Sequence, residues 1–140
     1  MGELESLIAD LQTRWQLLDW RVELRRCTQD NVPTFGYANG LASISVDHYN
    51  RTATIHIAND YRPRPNETVA SEQFVVAHEM AHLLLWDAMR TAQDALEWCQ
   101  PNVERMLSNL LIEREEIVCN ALAADAVGER PEHYREGEEV

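Results

Sequence analysis

The stretch Ser71-Glu72-Gln73-Phe74-Val75-Val76-Ala77-His78-Glu79-Met80-Ala81-His82-Leu83-Leu84-Leu85-Trp86 sets two histidines and one glutamate into a run that is otherwise apolar from Phe74 onward. Ser71 is suited to cap a helix, and Glu72 then sits at the positive helix end. A helix that is apolar nearly all round has to be buried. Residues four apart share one helical face, so His78 and His82 can present ring nitrogens to a single ion. Glu79, beside the first histidine, can reach a water at that ion without ligating it. This is the physical content of an HExxH pattern: two metal ligands and a general base on one turn. Chance alone puts such a pattern in roughly 2% of chains of this composition, so the surroundings have to decide. Two histidines and a glutamate in an apolar helix cost several kcal/mol of desolvation unless something satisfies them, and a metal does so.

Upstream of this helix the periodicity changes twice. Leu4, Leu7, Ile8, Leu11, Trp15 and Leu18 recur at the spacing of one helical face, which predicts an amphipathic helix over residues 3–18. Trp20, Val22 and Leu24 then alternate with charged residues, as do Ala42, Ile44 and Val46 with Ser43, Ser45 and Asp47, and Ala53, Ile55 and Ile57 with Thr52, Thr54 and His56. A period of two predicts half-buried strands, so the sheet has three strands or more, and residues 48–51 read as a hairpin loop. Pro63 and Pro65 separate the sheet from the buried helix. Downstream, residues 87–98 read as a weaker helical segment. Beyond Pro101 a long helix is expected over about residues 103–127, ended by Gly128 and Pro131. The expectation is one α+β domain over residues 1–127, with residues 128–140 a charged, flexible tail.

Catalytic zinc takes three protein ligands and keeps one position for water. The short metzincin spacing is excluded, because Leu85 and Ala88 stand where Gly and His are needed. His133 is the sole later histidine and lies in the tail, so a carboxylate from the long helix is the better third ligand. On that helix Met106, Leu110, Ile117, Ala121 and Ala124 form one apolar stripe, from which Glu115 points away as an exposed charge. Glu116 lies amid a second small apolar face of Ile112, Cys119 and Ala123, with Asn120 one turn on, where it can orient the carboxylate or a ligand histidine. Glu116 is the expected ligand and Glu113 the reserve.

His78-Glu79-Met80-Ala81-His82 with Leu83-Leu84-Leu85, followed by Glu116-Ile117-Val118-Cys119-Asn120-Ala121-Leu122-Ala123-Ala124, resembles the two signature helices of small gluzincin-type metallopeptidases. The likeness is to the ImmA/IrrE-like group and to metallopeptidases encoded by phages and prophages, and it covers roughly residues 20–127. It implies a minimal zincin-like domain, Zn²⁺ held by His78, His82 and Glu116, and Glu79 as the base. Some ImmA/IrrE proteins also carry a DNA-binding or sensor domain, for which this chain is too short. The metal site carries over and the substrate does not.

Composition narrows the rest. The 140 residues are 45% apolar, enough for a real core, and 24 acidic against 12 basic residues leave a net charge of −12. Every basic residue is arginine, which excludes Schiff-base and P-loop lysine chemistry. The acidic balance disfavours nucleic acid and anionic membranes as partners. Cys27, Cys99 and Cys119 are odd in number and form no CxxC pair, and neither a secretory signal nor a membrane span is visible, so a cytoplasmic protein with free thiols is expected. The expected activity is zinc-dependent hydrolysis of a peptide or protein, with an inactive zincin-like scaffold or protein-interaction module as the alternative. The substrate is expected along strand Thr52–Ala58 as a free edge, with loops 29–40 and 87–102 shaping specificity. Tyr49, Tyr61, His133, Tyr134 and the arginines remain open as oxyanion partners, and His48 and His56 are expected to be solvated.

Overall fold

The computed structural model describes residues 2–33, 41–63, 65 and 70–129. The elements run α1 (Glu3–Arg14), β1 (Arg21–Cys27), a 3-10 turn (Gln29–Asn31), β2 (Ala42–Asp47), β3 (Thr52–Ala58), α2 (Glu72–Leu96) and α3 (Pro101–Val127). The fold is α+β, as its periodicities predicted. Its strand order is β1-β3-β2. β3 pairs in parallel with β1, with Val22 opposite Ala53 and Leu24 opposite Ile55. It pairs antiparallel with β2, with Ile44 opposite Ile55 and Val46 opposite Ala53. Val22, Leu24, Ala42, Ile44, Val46, Ala53, Ile55 and Ile57 therefore share one face, and the threonines, His56 and the serines share the other. Ala53, Ile55 and Ile57 on the apolar face are buried against the helices, in one core with Phe74, Val75, Met80 and Leu83 of α2.

This topology corrects the expected substrate edge. β3 is the central strand, hydrogen-bonded on both sides, so it has no free backbone groups to offer a peptide. Among the described residues the open edges belong to β1 and β2. The hairpin between β2 and β3 is as expected, and Arg51 closes it with φ 54. Its guanidinium bonds Asp19 at 2.6 Å, reaches Asp87 of α2 at 3.3 Å and stacks 4.1 Å over the Trp20 ring. One side chain thus ties the turn to α2 and to the connection between α1 and β1.

The helices differ from expectation at their ends. α1 stops at Arg14 rather than running on to Leu18. Gln12 Nε2 donates to the carbonyls of Leu17 (3.2 Å) and Trp20 (2.7 Å), Gln16 takes φ 58, and Leu18 is left 71% exposed. Residues 87–96 are no separate segment but the continuation of α2, because Ala88, Met89, Arg90, Ala92 and Gln93 are good helix formers even where burial fades. Ser71 caps α2 as expected, accepting from the Phe74 N–H at 3.1 Å. At the same end Arg26 of β1 pairs with Glu72 at 2.7 Å. α3 begins at Pro101, a residue suited to the first helical position, and ends at Gly128 with φ 71, whose N–H reaches the Ala124 carbonyl at 2.9 Å. Glu129 accepts from the Ser71 N–H at 3.0 Å and from its hydroxyl, joining the end of α3 to the start of α2. The expected tail beyond it, residues 130–140, lies outside the described residues.

The face that α3 buries is the largest correction. Met106, Leu110 and Ile117 were expected to pack inward, and they are 62%, 45% and 50% exposed. Ala121 is exposed too, and Ile112 with it. α3 meets α2 instead through Cys119, Ala123 and Ala124. Small side chains at a contact let two helices pack closely, and the side of α3 that carries them also brings Glu116 to the histidines of α2.

Candidate metal centre

α2 carries His78 and His82 on one face, and α3 runs beside it with Glu115 and Glu116 turned toward them. His78 Nε2 and His82 Nε2 lie 3.1 Å apart. Glu116 Oε1 is 3.0 Å from His82 Nε2, and Glu116 Oε2 is 3.3 Å from His78 Nε2. These three residues form a group able to hold a metal ion, among the described residues. The donor set can be tested on its own chemistry. With ligand bonds of about 2.0–2.1 Å, neighbouring ligands of a tetrahedral zinc stand about 3.3 Å apart; with one atom taken from each residue, the three donors lie within 4.8 Å of one another, and each histidine has one Glu116 oxygen at 3.0 or 3.3 Å. With the proton of each ring on Nδ1, two imidazole lone pairs and a carboxylate that only accepts face the same point. A cation at the centre satisfies all three lone pairs together.

Burial sharpens the electrostatics. His78 is wholly buried, and the side chains of His82 and Glu116 retain 15% and 21% of their exposure. Burial alone raises the Glu116 carboxyl, but its hydrogen bonds and charge interactions with His78 and His82 outweigh that and hold it below the usual carboxylate range. Glu79 follows His78 in the same turn and is fully buried. It is not among the three residues that converge.

The structure decides between the carboxylates of α3. Glu116 reaches the histidines; Glu113 is exposed and stays away. Glu115, expected to project outward as a surface charge, is corrected: it is half-buried, and its Oε2 lies 3.1 Å from His82 Nδ1. The outward reading failed because it measured angles from the Met106–Leu110–Ile117 stripe. Those three residues are exposed, and only Ala124 of the expected stripe is buried, so the packed side of α3 is the face of Cys119, Ala123 and Ala124. The signal that locates Glu115 is the cluster of small residues Cys119, Ala123 and Ala124.

Other residues singled out above fall elsewhere. Tyr49 is 86% exposed, whereas Tyr61 packs against the core. His133 and Tyr134 lie outside the described residues, as does the 34–40 part of the loop expected to shape specificity. Residues 87–96 of the second such loop are helical. His48 and His56 are half-buried rather than solvated. His48 sits 3.5 Å from Asp87, and burial lowers the pKa of His56, helped by the charge of Arg25.

All three cysteines are free. Cys119 is the buried one, one turn beyond Glu115, and desolvation pushes its thiol up to about 11 against the opposing pull of His82. Thiolate is the reactive form. Brief alkylation of the native protein at pH 8 should therefore label the half-buried Cys27 and Cys99 and spare Cys119 until denaturant is added. Peptide mass spectrometry reads this directly, and equal native labelling of all three would contradict the packing of α3 on α2.

Compared with known proteins, the chain matches no protein-family model, no curated protein and no solved structure. Among the described residues, no helix is long and apolar enough to cross a membrane.

Proposed function

We propose that this chain is a zinc-dependent peptidase of the zincin-like, gluzincin type, acting on a peptide or protein in the cytoplasm. The observation that carries the reading is the convergence of His78, His82 and Glu116 from two helices onto one point, with Glu79 on the same turn as the first histidine. The resemblance of both helices to ImmA/IrrE-like metallopeptidases points the same way.

His78 Nε2, His82 Nε2 and the Glu116 carboxylate are the groups that would hold the ion. When bound, zinc supplies Lewis-acid polarisation of a water and of the scissile carbonyl. Glu79 takes the proton of the attacking water on a carboxylate oxygen and hands it to the departing amine nitrogen. The buried apolar turn around Glu79 keeps bulk water from competing for that proton. The peptide adds to the outer edge of β2 rather than β3, since β2 packs beside α2 and, among the described residues, has a strand on one side alone.

The complete burial of Glu79 favours a second reading, a zincin-like scaffold that keeps the metal as a staple and turns nothing over. Metal analysis tests what both readings share. Wild type is expected to carry one zinc per chain, and His78→Ala or His82→Ala none. Stable wild-type protein that takes up no zinc from a zinc-supplemented buffer overturns both. Digestion of a peptide library by the zinc-loaded protein, read by mass spectrometry, then separates enzyme from scaffold.

A further inference from the structure

We infer that Glu115 is a positioning residue of the metal centre, one that fixes the tautomer and ring orientation of His82 from behind. This role rests on the reading of His78, His82 and Glu116 as metal ligands. Consecutive residues of a helix point about 100° apart, and Glu115 and Glu116 use that divergence to bracket one imidazole. Glu116 Oε1 approaches Nε2 at 3.0 Å, and Glu115 Oε2 approaches Nδ1 at 3.1 Å.

The chemistry of the pair assigns the proton. A carboxylate only accepts, so with Nε2 giving its lone pair to a cation shared with Glu116, His82 Nδ1 carries the N–H and donates it to Glu115. The neutral ring then has its lone pair on Nε2, the atom that faces His78 and Glu116. The same hydrogen bond stops the ring from rotating and makes it a stronger base toward a cation. Glu115 is not a fourth ligand, because it lies on the nitrogen turned away from the point of convergence.

Burial gives the contact its weight. The Glu115 and His82 side chains keep 18% and 15% of their exposure, so the bond is screened far less than one on the surface. Two adjacent half-buried carboxylates, Glu115 and Glu116, repel each other in that setting. A donated imidazole proton on one and a cation at the other offset the repulsion. A helix that needed only packing or solubility at position 115 would gain nothing from a second enclosed acid.

The test measures zinc affinity by competition with a chromophoric chelator, together with the visible spectrum of the cobalt-substituted protein. Glu115→Ala is expected to weaken zinc binding about 10–100-fold and to shift the cobalt bands. Glu115→Gln keeps an oxygen acceptor for the Nδ1–H but not its charge, so a smaller loss of about 3–10-fold is expected. This near-isosteric change carries the test if the alanine variant does not fold. Glu113→Ala, an exposed acid on the same helix, is expected to match wild type and controls for net charge. Wild-type affinity and an unshifted spectrum in both Glu115 variants would overturn the role while leaving the metal site standing. A wild-type protein that binds neither zinc nor cobalt would remove the site itself.

Discussion

Glu79→Gln is expected to retain one zinc per chain and to lose peptide hydrolysis by about 10²–10⁴-fold, the range that general acid–base groups contribute. The two halves of that result have separate causes. Zinc stays because Glu79 does not belong to the converging triangle of His78, His82 and Glu116. Turnover falls because an amide of the same shape cannot accept the proton of the attacking water. Stability should hold or rise, since the change removes a fully buried acid whose ionised form is costly to desolvate. Steady-state kinetics on a peptide found by library digestion, with metal content measured on the same sample, checks all three points. An undiminished rate would remove Glu79 from the chemistry.

Ala123→Leu should be the most damaging change at a position that touches no ligand. Ala123 is fully buried where α3 meets α2, next to Cys119, so a larger side chain has no space to enter. Overpacking of this kind costs about 1–3 kcal/mol. The greater loss is in metal binding, because ligand distances must hold to about ±0.2 Å and α3 can take in a leucine only by moving off α2, carrying Glu116 with it. The expected outcome is a folded protein with a lower denaturation midpoint and little zinc. Ile117→Ala on the outer face of the same helix should change stability by less than about 0.5 kcal/mol. Wild-type zinc content in Ala123→Leu would show that close helix approach is not what places Glu116.

These two variants mark where sequence reading works and where it stops. The histidine pair was legible because its geometry is local: four residues on a helix fix one face, whatever the fold around it. The strands were legible for the same reason, each alternating apolar and polar side chains over its own length. Glu116 was found through Cys119 and Ala123, which do lie at the interface. Glu115 was missed because hydrophobic size was taken as a guide to the buried face. In a close helix pair the residues at the contact are the small ones, and Met106, Leu110, Ile112, Ile117 and Val118 of α3 are left outside. The edge strand was misplaced for a different reason. A hairpin tells that β2 lies beside β3, but nothing local tells which of the two β1 joins, and it joins β3.

Every atom that converges on the candidate metal position, and Glu115 behind it, belongs to the helical hairpin of α2 and α3, closed by the short connection at residues 97–100. Closing a short connection is entropically cheap and fast, whereas β1 can pair with β3 only after β2 and its flanking segments have been looped out between them. The helical hairpin and the sheet are therefore kinetically unlike: one assembles from neighbours in sequence, the other waits on a distant pairing. Synthesis runs in the opposite order. The sheet leaves the ribosome first, with Ala53, Ile55 and Ile57 uncovered until α2 follows, and during that interval the nascent chain is most exposed to association through its apolar face.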